Sequence, residues 1–378
     1  MTEPGVNDET PLSISVNLLW CIPGVVGGSE DYMVRQLAGL RTVRDDEITL
    51  HCLPDFVEAH PELVGGFTID EAQVAASSRA RRILAEHTWL LRRTRAADLV
   101  HHGGGTVPLA GVGRTVVTVH DLQYLTYPEY FSPSRRAYLS TMMPRSVRRA
   151  DVVAVPTDYV RSTVVNAYGV DPDHVVVVPH GVDLDLRRRA PDGAEMRARY
   201  GLGEGPVLVL PAITHPHKGH EFLLEVMARY WPDPDLRLVL IGGRGAAEDD
   251  VGAAIERLGL AGRVIRPGRV PDADRDGLVA VADALVFPTQ YEGFGAPVIE
   301  AMALGTPVIA SDQPAVAEVL GDAGLIRPLE PDAWADALDE VLRRRDELVA
   351  AGTARVRRFS TTESGRALSA AYDLAVGS

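Results

Sequence analysis

Short apolar runs rich in Val, Ile and Leu alternate with longer stretches of helical periodicity along nearly the whole chain. This is the signature of βαβ units whose parallel sheets are covered on both faces. In the first half, Ser13–Trp20, Glu47–Leu53, Asp98–His101, Arg114–His120, Asp151–Pro156 and Val175–Pro179 predict strands. Helical patterns over Glu30–Leu40, Arg79–Arg95, Pro133–Arg149 and Thr157–Tyr168 separate several of them. An arginine-rich polar stretch follows His180-Gly181-Val182-Asp183, runs to Tyr200 and reads as a linker. The alternation then resumes with strands at Pro206–Leu210, Leu236–Ile241, Val264–Arg266, Ala284–Pro288 and Thr306–Ala310. Helices are expected near Gly219–Tyr230, Ala246–Leu258, Pro297–Leu304, Asp332–Ala350 and Thr362–Ala375. The pattern predicts an α/β protein of two Rossmann-like, doubly wound domains, residues 1–185 and 186–360, facing across a cleft. In such sheets ligands bind outside the carboxyl ends of the strands, so motifs at strand ends carry the most information.

A length of 378 residues fits two such domains, since a single core stops growing beyond about 250–300 residues. The net charge of −14 would repel a phosphate backbone and argues against nucleic-acid binding. Cys21 and Cys52 are the only cysteines, too few for a disulfide framework or a thiolate zinc site, which fits a reducing compartment. The stretch Met1 to Pro11 is acidic and polar, unlike a signal peptide. No apolar run approaches the roughly 20 residues a membrane span needs, so a cytoplasmic location is expected. Lys218 is the only lysine beside 37 arginines. Ammonium and guanidinium are not interchangeable, which makes Lys218 a functional candidate before any motif is considered.

The predicted strand Ala284–Pro288 leads into Glu292-Gly293-Phe294-Gly295-Ala296-Pro297, with Glu300 one turn inside the following helix. The glycines permit close approach of a ligand, and Pro297 suits a first helical turn. The amide-rich helix start is a ready diphosphate site. Two carboxylates so spaced can hold hydroxyl-bearing rings on either side of the phosphates. Lys218 follows strand Pro206–Leu210 at the matching edge, where an ammonium can neutralise a leaving diphosphate. The nearby His215, His217 and His220 lack a carboxylate or cysteine at ligand spacing, so no metal is expected. In the first half, Gly27-Gly28-Ser29-Glu30 joins the first strand to a helix, with Ser29 read as its N-cap. His120-Asp121 closes a strand, and His101-His102-Gly103-Gly104-Gly105 closes another. His120, His101 and His102 are therefore candidates to line the cleft.

Glu292-Gly293-Phe294-Gly295 through Glu300 resembles the E-x7-E signature of the retaining GT-B glycosyltransferases of family 4. Gly27-Gly28, His120-Asp121, Pro179–Asp183 and Lys218-Gly219 extend the likeness over most of the chain. The resemblance implies the GT-B fold and transfer of a hexose from a nucleotide-diphosphate sugar to an acceptor hydroxyl, with no metal or other cofactor. It places the donor on the second domain, with Lys218 on the diphosphate, Glu300 on the ribose and Glu292 on the transferred sugar. Gly293, Phe294, Gly295 and Ala296 complete the donor loop, joined by Gly28. His120 is placed near the reacting carbon, and the acceptor side falls to Gly27, Gly28 and His102. The last helix, residues 361–378, is implied to cross back to the first domain. Family members commonly carry an Arg five or six residues before the lysine, where this chain has Ile213 and Ala212. The Pro-Ala-x-Thr-x-Pro-His-Lys form is similar to a mannosyl- and rhamnosyltransferase-like subgroup, which leans the donor towards GDP-mannose. Three alternatives stay open: a sugar phosphorylase, a nucleotide-sugar epimerase and a non-catalytic sugar-nucleotide binder. The arginine-rich, apolar-striped Arg79–Arg95 also fits peripheral contact with an anionic membrane.

Overall fold

The computed structural model describes residues 11–111 and 113–377, so the N-terminal stretch lies outside it but for Pro11. The chain forms two compact units. The first comprises Met1–Pro156, Val160–Gly181 and Thr361–Ser378; the second comprises Thr157–Tyr159 and Val182–Ser360.

In the first unit the strands are β1 (Ser13–Asn17), β2 (Glu47–Cys52), β3 (Thr68–Glu71), β4 (Leu99–His102), β5 (Arg114–Thr118), β6 (Val152–Val155) and β7 (Val175–Val177). They form one parallel sheet in the order β3-β2-β1-β4-β5-β6-β7. The chain winds one way from β1 and the other way from β4, so the strand order reverses between them. Val116, Val152 and Ala154 of the central strands are wholly buried, as both-face coverage requires. The last helix, Thr361–Gly377, packs on Gly28–Leu40 and gives Leu368, Ala371, Tyr372 and Ala375 to this core. Two glycines meet at that crossing. A Cβ built on Gly365 would stand 2.2 Å from the carbonyl carbon of Gly39, so any side chain there forces the helices apart.

The second unit repeats the design with β8 (Val207–Pro211), β9 (Arg237–Ile241), β10 (Val264–Gly268), β11 (Ala284–Phe287), β12 (Val308–Ser311) and β13 (Leu325–Arg327). These too are parallel, ordered β10-β9-β8-β11-β12-β13, and the reversal falls between β8 and β11.

Several expectations are corrected. The stretch read as a linker carries the helices Leu186–Arg189 and Gly193–Tyr200. Asp192 caps the second by accepting from the Ala194 and Glu195 N–H groups, and Gly201 closes it at φ 63°. Met196 is wholly buried, and Arg187 donates to the carbonyls of Leu304 and Ala280, so this stretch belongs to the second unit. Strands β3 and β13 were not expected, because each is a short edge strand without a sustained apolar run. The helix expected over Asp332–Ala350 breaks at Arg344 into Ala337–Arg343 and Arg345–Val356. Ser29 is not an N-cap: the helix begins at Gly28, capped by Gly27 without a side-chain bond. Cys21 and Cys52 are free and buried, and burial pushes the Cys52 thiol up to about 12. No helix among the described residues is long and apolar enough to cross a membrane.

Candidate functional site

The reversal between β8 and β11 brings together two loops far apart in sequence. The loop after β8 makes a short 3-10 turn, Pro216–Lys218, before the helix His220–Tyr230. The loop after β11 runs through Thr289 to Gly295 and enters the helix Ala296–Leu304. Their backbones are joined directly: the Gln290 N–H donates to His217 O at 2.7 Å. Gly219 makes the crossing possible. Its φ of +71° lies in the left-handed region, and a Cβ there would meet Pro288 O at 2.0 Å.

Across this junction the Lys218 ammonium forms an ion pair with Glu292 Oε1. Both side chains are largely covered, 20% and 14% exposed, so the pair feels a lower dielectric than a surface bridge. The Thr289 hydroxyl lies 3.2 Å from Glu292 Oε1, His217 O and Tyr291 O and can donate to one of them at a time. Gln313 Nε2 donates to Glu292 O at 3.1 Å. The residue is thus held by its backbone as well as its carboxylate.

Gly295 caps the next helix with φ 91°, and Pro297 occupies its first turn. Glu300 is 9% exposed on that helix. The Arg275 guanidinium belongs to the same charge cluster. Burial opposes its charge, but the carboxylates of Glu300, Asp276 and Asp272 prevail and hold it above its usual range. Phe294 turns inward, 3% exposed and edge-on to Phe359, so only its backbone can face a ligand. Gly293 O accepts from the Thr157 hydroxyl at 2.9 Å. Ala212 and Ile213 stand six and five residues before Lys218, where the resemblance led an Arg to be expected. The adjacent Thr214 hydroxyl instead donates to Glu248 at 2.6 Å and accepts from the Gly245 N–H at 2.7 Å. Burial and the neighbouring Lys218 charge hold His217 near 3; burial holds His220 near 4.

At the carboxyl edge of the first sheet, His120 Nε2 donates to Gly103 O at 2.9 Å. Tyr32 and Trp20 flank the ring with centroids 5.1 and 5.6 Å away. Burial holds its pKa near 4, so the imidazole is neutral at pH 7. His101 is corrected from cleft candidate to core residue: it is wholly buried, with ring nitrogens 2.8 Å from both Tyr372 Oη and Thr118 Oγ1. His102 keeps its place at the strand end, 4% exposed and 3.2 Å from Asn17 Nδ2. Gly27 and Gly28 have no atom within 4 Å of a built Cβ, so nothing in this unit presses on them. Along Arg79–Arg95 the apolar side is occupied by the unit's own core. Ala85 and Leu90 pack with Leu19, Leu53 and Ala72, leaving Leu84, Arg79, Arg81, Arg92, Arg93 and Arg95 outward, while Arg82 is half-buried and donates to Ala76 O.

Two family models cover most of the chain: Glycosyltransferase Family 4 matches residues 26–186 and Glycosyl transferases group 1 matches residues 194–355. The chain belongs to these glycosyltransferases. It is 28% identical over 345 residues to the O-antigen chain mannosyltransferase B of Escherichia coli, covering 87% of this chain and 90% of that protein. With the D-inositol 3-phosphate glycosyltransferase of Corynebacterium glutamicum it shares 32% identity over 247 residues, 61% of this chain and 59% of the relative. Its fold matches that of Anabaena Alr3699/HepE in complex with UDP-glucose at a TM-score of 0.76. That likeness holds at 18% identity over 96% of this chain and 99% of that one. The glycosyltransferase therefore has two Rossmann-like, parallel-sheet units and the GT-B fold class that the resemblance implied. Of the predicted site residues, Lys218, Glu292, Gly293, Gly295, Ala296 and Glu300 gather at the reversal of the second sheet. His120 and His102 lie at strand ends of the first. Sequence reasoning missed Thr289, Gln313 and Arg275 around the acidic pair. It also missed Asn17 and Glu86 of the first unit, whose polarity reads as ordinary surface until the fold buries them.

Proposed function

We propose that the glycosyltransferase moves mannose from GDP-mannose to an acceptor hydroxyl with retention at the anomeric carbon. The observation that carries this reading is the pairing of the single lysine with Glu292 at the reversal of the second sheet, beside the glycine turn that leads to Glu300. In this reading the donor occupies the second unit and the acceptor the first. The anomeric C–O bond to the diphosphate breaks, the acceptor oxygen bonds to that carbon on the same face, and the departing phosphate oxygen takes the acceptor's proton. Lys218 balances the charge that builds on the diphosphate, which makes a bound metal unnecessary. Glu300 holds the ribose hydroxyls, and Glu292 holds those of the transferred sugar. For His120 the proposal is a neutral imidazole that hydrogen-bonds a sugar hydroxyl. The mannosyl choice is supported by the 28% identity to the Escherichia coli mannosyltransferase.

A panel of nucleotide sugars read by thermal shift tests it, because a ligand that binds only the native state adds about 2.7 kcal/mol at a hundred times its Kd. GDP-mannose is expected to raise the melting temperature more than UDP-glucose or UDP-N-acetylglucosamine. No shift with any of the three would reject the donor site. The proposal extends to peripheral attraction of anionic bilayers by the outward arginines of Arg79–Arg95. Co-sedimentation with phosphatidylglycerol vesicles should appear at low salt and vanish at high salt; equal recovery with neutral vesicles would remove this part.

A further inference from the structure

Asn17 ends β1 and stands in register with His102 at the end of β4, so the pair marks the reversal of the first sheet, where ligands of doubly wound sheets bind. Asn17 Oδ1 accepts from the Leu19 N–H at 3.1 Å, which fixes the orientation of the amide. Its Nδ2 then reaches Glu86 Oε1 at 3.1 Å and His102 Nδ1 at 3.2 Å. An amide nitrogen only donates, so His102 Nδ1 is the acceptor, and the proton of the neutral ring sits on Nε2.

Glu86 is 6% exposed and His102 is 4% exposed. The hydrogen bonds of this trio engage Glu86 Oε1 and His102 Nδ1, which leaves Glu86 Oε2 and His102 Nε2 for a ligand, and both side chains keep a small exposed area. One accepting carboxylate oxygen and one donating imidazole N–H, both held by a single amide, complement a hydroxyl, which donates and accepts at once. A phosphate cannot donate to the carboxylate when fully ionised and would be repelled by it. Glu86 also opens the π-helical turn Glu86–Leu90, inserted between Arg79–Ala85 and Leu91–Arg93. Such turns re-aim a side chain and recur at functional sites.

We propose that Glu86 and His102, oriented by Asn17, form a hydroxyl-recognition subsite that positions the acceptor, which therefore presents a neutral polyol face here. The inference rests on the reading of the first unit as the acceptor side. The charged groups around Glu86 are Arg79 and Arg82 from its own helical run and Tyr138 from the helix Pro133–Arg149. His102 stands on the other side of Asn17, with Arg149 of the helix Pro133–Arg149 and His51 of β2 as its charged and titratable neighbours. Burial pushes Glu86 up to about 7 against the Asn17 hydrogen bond and the two arginines. The accepting, ionised form is complete only above neutrality, so polyol binding strengthens as pH rises.

Saturation-transfer NMR with methyl α-mannoside and myo-inositol, at pH 6 and pH 8, tests this. The wild-type protein is expected to bind both probes, more tightly at pH 8. Glu86→Gln keeps the side-chain shape but replaces an acceptor with a donor. It should weaken binding roughly tenfold or more and abolish the pH dependence. Glu86→Asp, which keeps the charge and withdraws it, should weaken binding while retaining the pH trend. Equal binding by wild type and Glu86→Gln, no wild-type binding of either polyol, or displacement of the polyols by inorganic phosphate would each overturn the proposal. The GDP-mannose thermal shift of Glu86→Gln reads the donor reading separately. An unchanged shift with lost polyol binding supports the subsite, and a shift absent from every variant sinks the donor assignment alone.

Discussion

Lys218→Ala is expected to lower kcat by roughly 10²- to 10³-fold, the scale of losing one preorganised charge aimed at a developing anion. The readout is nucleotide release from GDP-mannose in the presence of acceptor. The loss has two parts. The ammonium no longer meets the leaving diphosphate, and the Glu292 carboxylate, 14% exposed, is left beside it without its partner. The second part predicts non-additivity: Lys218→Ala with Glu292→Gln should lose less than the product of the two single losses, because the neutral amide removes the repulsion. Lys218→Arg should not restore the rate, since a planar guanidinium cannot stand in for a compact point charge in a covered niche. A Lys218→Ala enzyme turning over at the wild-type rate would remove the lysine from the chemistry.

Acidification is expected to unfold the protein cooperatively between about pH 5 and 6, well above the range in which its carboxylates titrate. Burial holds His101 and His102 near 3 and His120 near 4 in the first unit, and His217 near 3 and His220 near 4 in the second. In the unfolded chain all five take up protons near 6.5. Between those values the unfolded state binds more protons, so stability is intact above about pH 6.5 and is lost as pH falls. Each imidazole contributes about 1.4 kcal/mol per pH unit in that window. Glu86, Asp276 and His60 act in the opposite sense, because a raised pKa costs stability as pH rises, but these three groups do not offset five imidazoles. Total stabilities of about 5–15 kcal/mol leave little margin. Circular dichroism across a pH series is the measurement, and a native spectrum retained at pH 4 would contradict the burial of these rings.

The parts legible in the sequence are those punctuated by backbone chemistry. The helix Pro133–Arg149 was predicted to its last residue because Pro133 and the following periodicity define it. The Glu292–Glu300 loop and helix were readable because Gly293, Gly295 and Pro297 allow few other conformations. The arginine-rich stretch to Tyr200 was misread for the opposite reason: its outward face is polar, and only Met196 points to a packed helix. Charge pairing was not legible. Glu86 lies among arginines and reads as a solvated helix charge, whereas a π turn and the Asn17 amide draw it under cover. Nor could spacing say that Lys218 and Glu292 would meet, since that follows from the strand order, which places β8 beside β11.

The return of the last helix to the first unit bears on how the chain is made. Tyr372, wholly buried, closes the side of that unit where His101 sits, so the hydrophobic interior begun by the earliest strands stays incomplete until Tyr372 has left the ribosome. The second unit, almost continuous from Val182 to Ser360, can finish first. Synthesis order and folding order are thus inverted here, and a nascent chain stalled before Thr361 would hold a complete second unit and an incomplete first one.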